Sequence, residues 1–175
     1  MTGHHENKAD WPIDATILLK HVPHALEVGT VLLIPNAEVD VEDVEYLERV
    51  LERVPSFAEV YVLVAKAYLI WGESSTALET LLDGHKNAPD DPEIIALLSE
   101  TLWESGEEDL ALSYLNKGIN NNPTNVPLLA LAGQYLFDDG QEEAAKAYLL
   151  RAEMISPRDP TLIRVRQYIG RILHQ

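Results

Sequence analysis

Residues 58–91 read AEVYVLVAKAYLIWGESSTALETLLDGHKNAPDD, residues 92–125 read PEIIALLSETLWESGEEDLALSYLNKGINNNPTN, and residues 126–159 read VPLLALAGQYLFDDGQEEAAKAYLLRAEMISPRD. Laid over one another, the three stretches keep a common beat. Pro55, Pro89, Pro123 and Pro157 fall 34 residues apart, and so do Gly72, Gly106 and Gly140. Ala77, Ala111 and Ala145 keep the same spacing, as do Leu81, Leu115 and Leu149. A fixed period of this length marks an array of helical units, each too small to bury its apolar face alone. The predicted fold class is all-α, a solenoid of helix-turn-helix repeats.

Within each unit the apolar spacing is that of two helices. In the first, Val60, Tyr61, Val64, Tyr68 and Leu69 make one face of a helix over 58–71, and Ala77, Leu78, Leu81 and Leu82 make the inner stripe of a helix over 74–87. Ser56 with Glu59 reads as a capping box, Gly72 as the stop of the first helix, and Pro89 as the end of the second. Asp91 reads as an N-cap with Pro92 in the first turn. Ile94, Ile95, Leu98 and Leu102 follow, and after Gly106 the second helix has Ala111, Leu112, Leu115 and Ile119 inward. Glu107 and Glu108 sit where a helix start favours carboxylates. The third unit uses Leu128, Leu129, Ala132 and Leu136, then Ala144, Ala145, Tyr148 and Leu149. Small residues recur at Ala65, Ser99 and Gly133 and at Gly84, Gly118 and Ala152, as close helix crossings require.

Outside the three units, Thr161 to Leu173 carries Leu162, Val165, Ile169 and Ile172 on one face and Arg164, Arg166 and Arg171 elsewhere, which predicts a C-terminal capping helix over 160–174. Residues 39–57 read as a half repeat, with Val44, Leu47, Val50, Leu51 and Val54 inward and Leu47 standing 34 residues before Leu81. Its partner helix is expected within 14–33, although Pro23 interrupts that stretch and residues 29–34 suit a strand as well as a helix. Residues 1–38 form a leader, polar at its start and expected to be mobile there.

Composition narrows the function. The chain has 175 residues, 46% of them hydrophobic, so it is neither too short nor too polar to build a core. Its formal net charge of −16 disfavours nucleic acid and anionic membrane surfaces as partners and steers basic partners toward it; solubility alone would also account for such a charge. The absence of cysteine removes disulfides, thiolate metal sites and thiol catalysis. No signal peptide, membrane-length apolar run or glycosylation acceptor is seen, so a soluble, cytoplasmic protein is expected. His4 and His5, or His21 and His24, have no ligand partners at metal spacing. His85 reads as a lone surface histidine. With no phosphate loop, nucleophile motif or cofactor signature, the expectation is a protein that is not an enzyme and takes no cofactor.

The joint pattern resembles the tetratricopeptide repeat (TPR) family over roughly residues 41–174. The positions that carry the resemblance are Tyr61, Val64, Ala65, Tyr68, Ala77, Leu81, Gly84 and Pro89, with their counterparts in the next two units. The resemblance implies a right-handed superhelix whose first helices line a concave groove for peptides or helices. Its groove positions fall on Val62, Lys66, Leu69 and Ile70, on Ala96, Glu100, Trp103 and Glu104, and on Ala130, Gln134, Phe137 and Asp138. These make an apolar strip of Leu69, Ile70, Trp103 and Phe137 edged by carboxylates. The lysine and asparagine clamp that some members close on a terminal carboxylate is not reproduced, since those positions hold Val62, Lys66, Ala96, Glu100 and Arg164. Trp103 reads either as a binding anchor or as a core residue, and Trp71 as a staple on its turn or a second exposed aromatic. The function expected is an adaptor that binds a partner protein or peptide with apolar and basic residues. Two alternatives are an assembly subunit that self-associates as a homo-oligomer or docks through its ends or convex face, and a latch formed by residues 10–38 folding into the groove.

Overall fold

Proline, glycine and aspartate divide the chain into helix pairs. The computed structural model describes residues 41–174. In chain order the helices are α1 (Val41–Arg53), α2 (Ala58–Ile70), α3 (Ser74–Asn87), α4 (Pro92–Glu104), α5 (Glu108–Asn121), α6 (Val126–Asp138), α7 (Glu142–Ile155) and α8 (Pro160–Leu173). No strand occurs among the described residues. The expectations for the leader, the helix partner of α1, the histidine pairs and the latch lie outside the described residues.

The starts of α4, α6 and α8 have a common local cause. The Asp91 carboxylate accepts from the N–H groups of Glu93 and Ile94 at 3.0 and 2.9 Å. Asn125 accepts from Leu128 at 3.0 Å, and Asp159 from Thr161 and Leu162 at 2.9 and 3.2 Å. Each satisfies backbone donors that a helix start leaves open. The first unit breaks this rule. Phe57 occupies the cap position of α2 and no side-chain cap bond forms, so the Ser56–Glu59 capping box is not made. Ser56 stands one residue too early, and its carbonyl takes the Ala58 N–H instead, at 3.1 Å.

The turns within pairs are alike. Gly72, Gly106 and Gly140 have φ of 79, 86 and 76°, a backbone that glycine adopts without strain. In the first turn Glu73 N–H reaches Tyr68 O at 2.8 Å and Gly72 N–H reaches Leu69 O at 3.1 Å, which is the paired Schellman closure. The same two bonds recur around Gly106 and Gly140.

α2, α4, α6 and α8 lie side by side as one layer, and each of α2, α4 and α6 also packs on the helix that follows it. The small residues govern this packing. A Cβ on Gly84 would meet Tyr61 Cβ at 2.9 Å and Ile94 Cδ1 at 3.2 Å; one on Gly118 would meet Ile95 Cγ2 at 2.8 Å and Leu128 Cδ1 at 3.3 Å. Each glycine therefore sits where the first helix of its own pair and that of the next pair converge. Val60, Ile94, Leu128 and Leu162, all 34 residues apart, are fully buried as a result. Leu82 differs from expectation: it is 39% exposed, because it lies one residue past Leu81 and off the buried stripe.

α8 ends the array. In the inner pairs, positions 61, 64, 65 and 68 and their counterparts are apolar or small. In α8 they are Ile163, Arg166, Gln167 and Gly170, and Gly170 has open space around it. Leu162 and Val165 are buried, whereas Ile172, expected on the apolar face, is 42% exposed where the helix end runs past its neighbours. Arg166 Nη1 pairs with Glu153 Oε1 of α7 at 2.8 Å. At the other end Tyr68 donates to Glu48 at 2.7 Å, tying α2 to α1; that bond to a carboxylate, with some burial, pushes the phenol up to about 12.

Candidate functional site on the inner helix layer

The surface formed by α2, α4, α6 and α8 brings together most of the residues that the sequence pattern selects. Val62 and Ala130 are buried and offer no side-chain surface; they belong to the packing beneath. Ala96 is half-buried, and with Leu97, Pro127 and Leu131 it lines a cavity of about 410 Å³ toward the start of these helices. The charged walls of that cavity are two ion pairs. Lys66 Nζ meets Glu93 Oε1 at 3.0 Å, and Arg164 Nη2 meets Glu100 Oε1 at 3.1 Å. The second pair runs from α8 to α4 and so passes over α6.

Toward the ends of the same helices the surface is apolar and acidic. Ile70 is 82% exposed, while Leu69 is half-buried against the core. Trp103 is half-buried and stacks on Tyr135, with ring centroids 4.1 Å apart and planes 6° from parallel. It also packs against two core clusters, so the core reading of Trp103 holds for part of the indole, and the remainder is open to solvent. Phe137 and Gln134 are half-buried, and Glu104 and Asp138 are exposed. Asp138 accepts from Tyr168 at 3.0 Å. Burial raises its pKa, against the hydrogen bonds from Tyr168 and Gln134 that favour the carboxylate.

Tyr135 belongs to this surface and was missed by the sequence reading. Its counterparts are Ala67 and Thr101, so no periodic signal marks it. It is buried beneath Trp103, and its phenol is pushed far up, first by burial, then by Glu100 and Glu104 and also Asp138, with Arg164 acting the other way. Three carboxylates and one guanidinium therefore stand near enough to the Tyr135 phenol to act on it. Leu97 and Leu131 were also missed. They share a position with Leu63, and that 34-residue spacing could have found them.

Two further side chains lie away from this surface. Trp71 lies edge-on to Tyr68 at 5.6 Å and packs into the first core cluster, which makes it a staple on its turn. His85 is not a free surface histidine: it is half-buried, edge-on to Tyr114 at 5.0 Å, with Nδ1 buried and unpartnered. Burial lowers its pKa and nearby Lys117 adds to this, opposed by Asp90. Among the described residues no three His, Asp or Glu side chains gather as a metal site, and no helix is long and apolar enough to cross a membrane.

Comparison with known proteins agrees with this geometry. The family model of the tetratricopeptide repeat matches residues 126–159. No curated protein matches the sequence. Solved structures do. The MamA protein shares 21% identity and a TM-score of 0.59, over 73% of this chain and 68% of that one. TTC0263, a thermophilic TPR protein of Thermus thermophilus, shares 18% and 0.62, over 74% and 72%. The first TPR of Spaghetti (RPAP3), solved with the HSP90 peptide SRMEEVD, shares 18% and 0.57, over 67% and 94%. At these identities the likeness is one of fold.

Proposed function

We propose that this chain, which belongs to the tetratricopeptide-repeat proteins, is a non-enzymatic interaction module whose inner helix layer holds a segment of a partner protein carrying apolar and basic residues. The observation behind this reading is the strip of Ile70, Trp103 and Phe137, open to solvent in whole or part and bordered by Glu104 and Asp138. Exposed aliphatic and aromatic side chains on a rigid layer suit the apolar face of a bound segment, and the carboxylates suit its cations. The solved relative that holds SRMEEVD shows the fold accepting a peptide. An acidic segment fits this chain poorly, because Lys66 and Arg164 are already paired with Glu93 and Glu100.

The test is capture of partners from a lysate of the source organism by the wild type and by an Ile70→Ala, Phe137→Ala double variant. Trp103→Ala is a poor probe because the indole also fills the core. Proteins kept by the wild type and lost by the double variant support the groove. Equal retention by both moves the interface elsewhere.

A second reading, assembly through the convex face, is favoured by Leu150 and Met154, which are 51% and 87% exposed one turn apart on α7. Light scattering across a concentration series, for the wild type and Met154→Lys, checks it: a mass that rises only for the wild type is the expected result.

A further inference from the structure

We propose that Arg164 is an internal occupant of the groove, holding Glu100 in the place that a partner's basic side chain takes on binding. This deepens the reading above and rests on it. Arg164 sits on α8, the helix that ends the array, yet its guanidinium reaches over α6 to the Glu100 carboxylate of α4 at 3.1 Å. Both residues line the cavity together with Ala96 and Leu131, so the pair stands at the space a partner side chain would enter.

Charge favours exchange of one cation for another. Around the buried Tyr135 the acidic groups are Glu100, Glu104 and Asp138, and Arg164 alone opposes them. Arg164 therefore competes with a partner's cation for Glu100. Its side chain is 59% exposed and that of Glu100 31%, so the guanidinium can swing to water while the carboxylate stays at the groove wall.

The control for general electrostatics lies on the same helix. Arg166 carries the same charge but pairs with Glu153 of α7 and is no part of the cavity. A contact of this exposed kind contributes modestly, so the expected effect is a change of about two- to five-fold in affinity.

The experiment measures binding of a fluorescent leucine–arginine peptide, and of its leucine–glutamate counterpart, by anisotropy. The proteins are the wild type, Arg164→Gln, Arg166→Gln, Glu100→Gln and the Ile70→Ala, Phe137→Ala double variant. The inference predicts that Arg164→Gln binds the basic peptide about two- to five-fold tighter than the wild type. Arg166→Gln should change it much less, and Glu100→Gln should weaken it. If Arg164→Gln binds no tighter than Arg166→Gln, while the double variant loses the peptide, the groove stands and the internal-occupant role of Arg164 is overturned. If the double variant binds as well as the wild type, or no protein binds, the groove reading fails and the inference fails with it.

Discussion

Gly118→Ala should destabilise the protein, although a helix-interior glycine replaced by alanine ordinarily gains about 0.5–1 kcal/mol. The new Cβ would lie 2.8 Å from Ile95 Cγ2, 3.0 Å from Ile95 Cδ1 and 3.3 Å from Leu128 Cδ1. Ile95 and Leu128 are 1% and 0% exposed, so neither has free space to move into. Overpacking of this kind costs about 1–3 kcal/mol, and subtracting the helix gain leaves a net loss of up to about 2.5 kcal/mol, centred on about 1 kcal/mol. The third repeat shows how the clash is avoided. There the equivalent pair is Leu129 with Ala152, both buried. Leucine branches at Cγ, so it does not put a methyl where Ile95 Cγ2 stands. Ile95→Leu combined with Gly118→Ala should therefore recover most of the loss, with a coupling of about 1 kcal/mol between the two changes. Urea unfolding followed by helical circular dichroism of the wild type, both single variants and the double variant measures this cycle. A Gly118→Ala protein as stable as the wild type would refute the packing account, and additive single effects would refute the role given to the Ile95 branch.

Gly170→Ala is the same substitution with the opposite expected sign. Nothing lies within 4 Å of its Cβ position, so the helix gain of about 0.5–1 kcal/mol should appear as a higher thermal midpoint. Asp91→Ala removes the acceptor of two backbone donors at the start of α4 and should cost about 0.5–2 kcal/mol in the same urea assay, with Asp91→Asn losing less. His85 introduces a pH dependence. Its folded pKa is lowered by burial and Lys117, against Asp90, so the unfolded chain binds the proton more readily. The stabilisation is present above the ordinary histidine pKa of about 6.5 and is lost as pH falls below it. The urea midpoint of His85→Gln should accordingly fall less than that of the wild type between neutral and mildly acidic pH, and equal slopes would show that His85 is not responsible.

Most of the array was legible because each of its signals is local. A glycine with positive φ closes every turn within a pair, a proline follows every second helix, and an Asp or Asn opens α4, α6 and α8. These depend on a few neighbouring residues, and repetition lets each unit check the others. Misreadings came where one unit departs from the rest. Phe57 stands where Asp91, Asn125 and Asp159 stand, so the capping box read from Ser56 had no support in the period. The groove was half legible. The family resemblance placed Ile70, Trp103 and Phe137 on one face, but it could not show that Val62 and Ala130 sink beneath it. Nor could it show that Tyr135, at a position holding Ala67 and Thr101 elsewhere, rises to stack under Trp103. Contacts that skip a helix, such as Arg164 with Glu100, lie 64 residues apart and leave no trace in a 34-residue pattern.

Acidic charge on this protein is of two kinds, and the backbone separates them. Glu108 and Asp109 open α5, and Glu142 and Glu143 open α7. There carboxylates face the positive end of a helix dipole and stabilise it, so their abundance needs no partner to explain it. Glu104 and Asp138 are instead the last residues of α4 and α6, at the negative end, where a carboxylate is unfavourable by about 0.3–1 kcal/mol. Asp138 is offset by the Tyr168 hydroxyl and Gln134. Glu104 is exposed, and the first repeat places a neutral Ile70 at the same position. A charge held against the dipole on the proposed binding surface serves binding better than it serves the helix. Glu104→Gln should therefore leave stability unchanged or raise it by a few tenths of a kcal/mol, while weakening capture of whatever the wild type retains. The two readouts must move apart: a destabilised Glu104→Gln protein, or one with unaltered capture, would return Glu104 to the solvated surface and remove it from the groove.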